Sequence, residues 1–412
     1  MDFTPETALA YARSLARPRR TGSGEDEAVA REIAARLEQF GYRVDWQAFG
    51  FSTAFNTAIT LEIFIGQLLV LLALWGRETW LSTFCCGLLA ALALSFGLIN
   101  RVVHRSALMP LAGEKPSLWS TLCLRSGRQY HTANLIATLP GIPDDAALPY
   151  LYLVAHYDSK SQRLPLAIRI ALFILTLAGA GAFAVLGFLR LVFPALAPLA
   201  TGVGIVVLLS GLPLLFFQDV GNASPGAIDN ASGAGLVLHL AECLSRRPDW
   251  RDKLRVKILI TGAEELAVMG AAAYVRAHLA ALRRQAQGGG LYILNFDGVG
   301  VRGRLCFVGE TGQGTRTRLL SLIRAACREM RLPLGRFNLV GALFDHLPFA
   351  EVGFDALSLV TLGRASWWVH TPQDSVEKLD VEGFRQAGAV ALRVVEKLCH
   401  AKASGLADTA LP

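Results

Sequence analysis

Polar and apolar positions are arranged in two different ways along this chain of 412 residues. Four stretches are almost continuously apolar: Phe55 to Trp75, Leu81 to Asn100, Leu166 to Leu189 and Leu196 to Phe217. Each is close to the ~20 apolar residues that a helix needs to cross the hydrocarbon core of a bilayer. They come in two pairs. Gly76-Arg77-Glu78-Thr79-Trp80 joins the first pair, and a turn containing Arg190 and Pro194 joins the second. The pattern predicts two transmembrane hairpins, and Trp75, Trp80 and Phe84 around the first turn suit the interfacial level of a membrane.

Elsewhere, short β-rich runs alternate with helical periodicity, which predicts an α/β domain with a central, mostly parallel sheet flanked by helices. Candidate strands are Leu135 to Thr138, Tyr150 to Ala155, Arg255 to Ile260, Leu291 to Phe296 and Ala356 to Thr361. Candidate helices are Ala231 to Ser245, Met269 to Leu282, Thr315 to Met330 and Val381 to Cys399. Met1 to Gly50 reads as folded protein rather than a signal peptide, with helices near Pro5 to Leu15 and Glu25 to Phe40. Polar segments 1–54, 101–163 and 219–400 are expected to form one domain, interrupted by hairpins at 55–100 and 164–218 and followed by a tail at 401–412. Gly288-Gly289-Gly290 reads as a flexible joint, because no Lys-Ser or Lys-Thr follows to make it a phosphate loop.

Composition agrees with the hairpins: 53% of residues are hydrophobic and 18% charged, against about 45–50% and about 25% in ordinary soluble proteins. Arg43, Arg101, Arg105, Lys160 and Arg163 lie on the side of the polar segments, whereas the hairpin tips carry Arg77 and Arg190. That asymmetry predicts an integral membrane protein with a cytoplasmic polar domain. It also accounts for the net charge of +7, and no motif calls for a nucleic-acid partner. Seven dispersed cysteines form no CxxC pair, which suits packing in a reducing compartment. Glu62 and Arg169 fall inside apolar segments that leave the same membrane side, so they are expected to pair.

Five residues offer nitrogen and oxygen ligands suited to a pair of zinc ions: His156, Asp229, Glu265, Asp297 and His370. Co²⁺ and Mn²⁺ are also compatible with such a set. Most follow a predicted strand or precede a helix, and the carboxyl ends of strands in open α/β sheets are where loops converge on ligands. Two closely spaced dications need a bridging carboxylate, for which Asp229 is the natural candidate. Asp158, two residues after His156, is placed to accept the ring N–H of that ligand and orient it. In the adjacent pair Glu264-Glu265, one carboxylate can bind metal while the other handles protons.

The ordered phrases His156-Tyr157-Asp158-Ser159, Gly226-Ala227-Ile228-Asp229-Asn230, Gly262-Ala263-Glu264-Glu265, Asn295-Phe296-Asp297 and His370-Thr371-Pro372 resemble those of the M28 family of zinc exopeptidases. Asn134-Leu135-Ile136-Ala137 and Asp345-His346-Leu347-Pro348-Phe349 add to the likeness, which covers roughly Tyr130 to Cys399 without the insert between about Lys160 and Asn222. The resemblance implies two zinc ions, one on His156 and Asp297, the other on Glu265 and His370, with Asp229 between them. It also implies Glu264 as general base and acid, and Asp158 as the residue that orients His156. Ile228 stands where relatives often carry a second acid, and Ala267 where a glycine is common. The expected activity is that of a membrane-anchored aminopeptidase acting on short peptides. The rivals are a single-zinc enzyme like glutaminyl cyclase, a carboxypeptidase using Arg364 as a carboxylate clamp, and a non-catalytic membrane receptor or scaffold. Asp345 and His346 are candidates for lining the site, while Trp367 and Trp368 are expected in the core, with a substrate pocket wall as the alternative. Because both ends of the second hairpin are tied to candidate ligands, the site is expected close to the bilayer.

Overall fold

The computed structural model describes residues 3–76, 79–140, 147–217, 220–309, 317–339 and 341–400. Arg77 and the expected tail 401–412 lie outside these residues. The chain divides into two compact units, one made of residues 1–49, 130–161 and 222–412, the other of residues 50–129 and 162–221.

An eight-stranded sheet organises the first unit. Its strands in chain order are β1 (Arg43–Ser52), β2 (Gln129–Thr138), β3 (Tyr150–His156), β4 (Arg255–Thr261), β5 (Leu291–Phe296), β6 (Arg304–Val308), β7 (Leu334–Arg336) and β8 (Asp355–Leu362). They lie side by side as β1-β2-β4-β3-β5-β8-β6-β7. The middle four, β4-β3-β5-β8, are mutually parallel, as the alternation of strands and helices predicts. Antiparallel pairing appears outside them, between β2 and β4 and between β8 and β6. β3 and β5 are buried at every position, the environment of a parallel strand covered on both faces, and their near-continuous apolar runs follow from it.

Helices cover both faces. On one, Leu236, Val237, Leu240 and Ala241 of the helix Ser232–Ser245 pack with Leu153, Ile258, Ile260, Leu294 and Phe296 of the sheet. On the other, Ala271, Tyr274 and Val275 of the helix Met269–Gln287 pack with Tyr152, Val154, Leu259 and Ile293. The amino-terminal helix Pro5–Leu15, which starts on proline with Glu6 in its first turn, joins the first of these layers. Its close approach depends on Gly235, where a Cβ would sit 2.5 Å from the backbone nitrogen of Ala12.

The second unit contains the helices Ala54–Trp75, Thr79–Ser106, Leu166–Leu189 and Ala197–Phe216, within a few residues of the four predicted stretches except that the second runs on to Ser106. All are long and apolar enough to cross a membrane, yet only 17–33% of each is buried. They meet around Val70, Ala73, Cys85, Cys86, Leu89, Phe183, Ala184 and Val207. Small residues permit the contact: a Cβ at Gly187 would lie 2.2 Å from Cys86 Sγ, as is common where apolar helices pack in lipid. Asn100 Nδ2 donates to Glu62 at 2.6 Å, so an amide from the neighbouring helix stands where Arg169 was expected. All seven cysteines are buried thiols, in keeping with packing.

Candidate metal centre

The candidate ligands gather at the carboxyl ends of the parallel strands. His156 is the last residue of β3, Glu264 and Glu265 follow β4, and Asp297 follows β5. Asp229 lies in a kinked turn, Ala227–Ala231, that leads into the helix Ser232–Ser245, and the peptide bond after it is cis. Asn230 ties this turn to the sheet: its Nδ2 donates to the Phe296 carbonyl at 2.9 Å, and its Oδ1 accepts from Gly233 and Gly298 N–H. His370 follows the turn Arg364–Trp368 and has a left-handed backbone, φ 64°. Ala263, Ala267 and Val268 around the glutamate pair also have positive φ. Such residues cost about 1–3 kcal/mol each and concentrate where the surroundings hold a functional geometry. At Ala267, φ is 75°, which gives the physical reason a glycine is favoured at that position.

Two groups of three form, with donor atoms in each lying within 4.8 Å of one another: His156, Asp229 and Asp297, and Asp229, Glu265 and His370. Asp229 belongs to both. Its Oδ1 is 3.1 Å from His156 Nε2, and its Oδ2 is 3.0 Å from His370 Nε2. His370 Nε2 is also 3.2 Å from Glu265 Oε2, and His156 Nε2 is 3.7 Å from Asp297 Oδ2. His156 Nε2, Asp229 Oδ1 and Glu265 Oε1 are buried without a hydrogen bond. Buried polar atoms rarely stay so. Nitrogen and carboxylate oxygen in this arrangement are donors for a dication such as zinc, and the residues therefore fit that ion.

Glu264 belongs to neither group, but its Oε2 lies 3.7 Å from His156 Nε2. Burial pushes its carboxyl up; His156 opposes this, while Asp297, Glu265 and Asp345 add to it, leaving the group well above the usual carboxylate range. Burial and Asp229 likewise raise Asp297 to about 6 against the pull of His156. Burial would raise Asp229 too, but the two imidazoles hold it well below its ordinary value. His156 shows the converse: burial pulls it down, and Glu264, Asp158, Asp229 and Asp297 more than reverse that.

Asp158 does more than face His156 Nδ1, 3.4 Å away. Its two oxygens accept the backbone N–H groups of Glu264 and Glu265, at 3.1 and 3.2 Å, and Thr21 Oγ1 donates to it at 3.0 Å. It therefore fixes the glutamate pair as well as the histidine.

Two supporting residues were not foreseen. Arg19, wholly buried, donates to the carbonyls of Tyr157, Pro225 and Gly226 at 2.5, 2.6 and 2.9 Å, so one guanidinium joins the loops carrying His156 and Asp229. Burial lowers its pKa to about 10, which leaves it charged at neutral pH. Asp374 accepts from Ile228 N–H at 2.6 Å and Asp229 N–H at 3.3 Å, and so positions Asp229 from the segment that carries His370. The one sequence cue was an acid four residues after His370. For Arg19 there was none, since its partners are remote in sequence.

Asp345 and His346 are buried, and neither belongs to a three-residue group. Thr261 Oγ1 donates to Asp345, and burial raises that carboxyl to about 7. Trp367 and Trp368 are not core: they are 56% and 43% exposed. Arg364, on the same turn, is exposed too.

The model of Peptidase family M28 matches residues 134–395. Aminopeptidase YwaD of Bacillus subtilis (strain 168) is 30% identical over 175 residues, 40% of this chain and 36% of that protein. The chain thus matches little more than a third of that relative's length. Among solved structures, BSAP, a zinc aminopeptidase from Bacillus subtilis, superposes with a TM-score of 0.54 at 17% identity, covering 96% of this chain and 95% of that one. A glutaminyl cyclase from Porphyromonas gingivalis gives 0.52 at 13% identity, covering 96% and 98%. At these identities, the structural likeness is one of fold.

Proposed function

The chain belongs to peptidase family M28, and from that premise we propose that it is a membrane-bound, two-zinc aminopeptidase that hydrolyses the first peptide bond of short peptides. The observation that carries the reading is the sharing of Asp229 between two three-residue groups. His156 and Asp297 would hold one ion, Glu265 and His370 the other, and Asp229 would bridge them. Bound zinc supplies Lewis acidity toward the scissile carbonyl and makes a bound water easier to deprotonate.

The chain's own groups do the remaining work. Glu264, outside both ligand groups and raised in pKa, takes a proton from the attacking water at a side-chain oxygen and returns it to the departing amine. Asp158 orients His156 and, through the N–H groups of Glu264 and Glu265, sets where that proton transfer occurs. Arg19 and Asp374 hold the Asp229 turn against the His156 and His370 segments. The four helices long and apolar enough to cross a membrane support a bilayer-anchored enzyme, and the distribution of basic residues along the sequence supports a cytoplasmic catalytic unit.

The test is a metal count combined with turnover of aminoacyl and carboxyl-terminal peptide substrates. Two zinc ions per chain and release of amino-terminal residues are expected, and one zinc with cyclisation of amino-terminal glutamine would favour the cyclase alternative. Glu264→Gln should retain both ions and lose about 10²–10⁴-fold in kcat, the usual contribution of a positioned acid–base group; normal turnover would sink the assignment.

A further inference from the structure

The two candidate metal positions share Asp229 but differ in what surrounds them. On the His156 side the charged groups nearest the ring are carboxylates: Asp158 Oδ1 is 3.4 Å from Nδ1, and Glu264 Oε2 is 3.7 Å from Nε2, while the Arg19 guanidinium is bound to the backbone of the adjoining loops. On the Glu265 side there is an ammonium. Lys160 Nζ lies 2.7 Å from Glu265 Oε2, the oxygen that also faces His370 Nε2 at 3.2 Å, and it approaches the Glu265 carbonyl at 3.4 Å. Both side chains are largely withdrawn from water, at 17% and 3% exposure. Glu265 therefore has one oxygen, Oε1, buried without a hydrogen bond and the other held by a cation.

We propose that Lys160 makes the Asp229–Glu265–His370 position the weaker of the two, so that zinc fills the His156–Asp229–Asp297 position first and the second only at higher free-metal concentration. The inference rests on the two-zinc reading above and concerns how that site is loaded. Coulomb repulsion between an ammonium and a dication on one carboxylate is strong where water is excluded, and salt screens it little there. Lys160 also draws electron density from Glu265, which weakens that carboxylate as a donor. Partners just outside a metal's ligands ordinarily support binding, and a cation in that place acts in the opposite sense. In the metal-free protein, the same lysine supplies positive charge to the buried Glu265 carboxylate, beside that of His370, which gives the chain a reason to keep it.

The experiment uses the full chain in detergent, stripped with a chelator and titrated with Zn²⁺ by equilibrium dialysis with metal analysis. Wild type should take up two equivalents in separate steps. Lys160→Met should tighten the second step by about 10–100-fold, the range over which such partners alter metal affinity, and leave the first close to wild type. Lys160→Gln, which keeps a hydrogen-bond donor without the charge, should behave like Lys160→Met if the latter folds poorly; Lys160→Arg should keep the wild-type separation. Metal-free Lys160→Met should also melt below the metal-free wild type. A second step unchanged or weakened in both neutral variants would overturn the inference while leaving the two-zinc reading intact. Failure of the wild type to bind a second ion would overturn both.

Discussion

At the scale of single residues, the candidate ligands were legible because each lies in a short phrase next to a recognisable strand or helix end. The residues that hold them were not, because their contacts are visible only in three dimensions. Arg19 meets Tyr157 and Gly226 across 138 and 207 positions, and Asp374 meets Ile228 across 146. Trp367 and Trp368 illustrate the reverse error, since bulk and apolarity suggested burial that the structure does not give them. His346 supports a prediction of its own. It is fully buried, with Nδ1 2.7 Å from Ser358 Oγ, and burial lowers its pKa to about 3. The unfolded chain would bind a proton here near pH 6.5 and the folded chain only near 3, so its contribution is present above about 6.5 and is lost progressively as the pH falls. Melting temperature followed from pH 7 to pH 4 should decline in the wild type and decline less in His346→Gln. The full single-proton slope is about 1.4 kcal/mol per pH unit, and equal slopes in the two proteins would refute the idea.

At the scale of elements, sequence reading succeeded where burial imposes a clear pattern. The apolar helices and the fully buried strands β3 and β5 announce themselves by continuous apolar runs. β1, β6 and β7 did not. β1 mixes Arg43, Asp45 and Gln47 with apolar residues at the sheet edge, where polar residues are favoured, and β7 has only three residues. The packing of Pro5–Leu15 on Ser232–Ser245 also escaped, since it turns on the missing side chain of Gly235. A methyl group there would fall within 2.8 Å of backbone atoms of both Ala12 and Ala8, which cannot move aside as a side-chain tip can. Gly235→Ala should destabilise the protein by about 1–3 kcal/mol, the usual cost of overpacking. Since Arg19 follows that helix, zinc affinity should fall as well. Wild-type stability, measured by denaturant titration, would contradict the packing argument.

At the scale of the whole molecule, the composition and the exposed surface point the same way. Leu94, Trp75, Phe216 and Leu209 are 88%, 79%, 69% and 65% exposed on long apolar helices, far more than a water-facing surface normally carries in one place. The protein should therefore stay with the membrane fraction through alkaline carbonate washing and leave it only with detergent; release by carbonate would mean that these helices do not span. The first unit has a further property, which concerns synthesis. It is assembled from three separated pieces of chain, and its central strand β3 pairs in register with residues 255–261 on one side and 291–295 on the other. A ribosome therefore delivers β3, then the second pair of apolar helices, and only then the strands that β3 must join, which start at Arg255 and Leu291. Until they arrive the edges of β3 stay open, and an unpaired strand edge is a template for joining another chain.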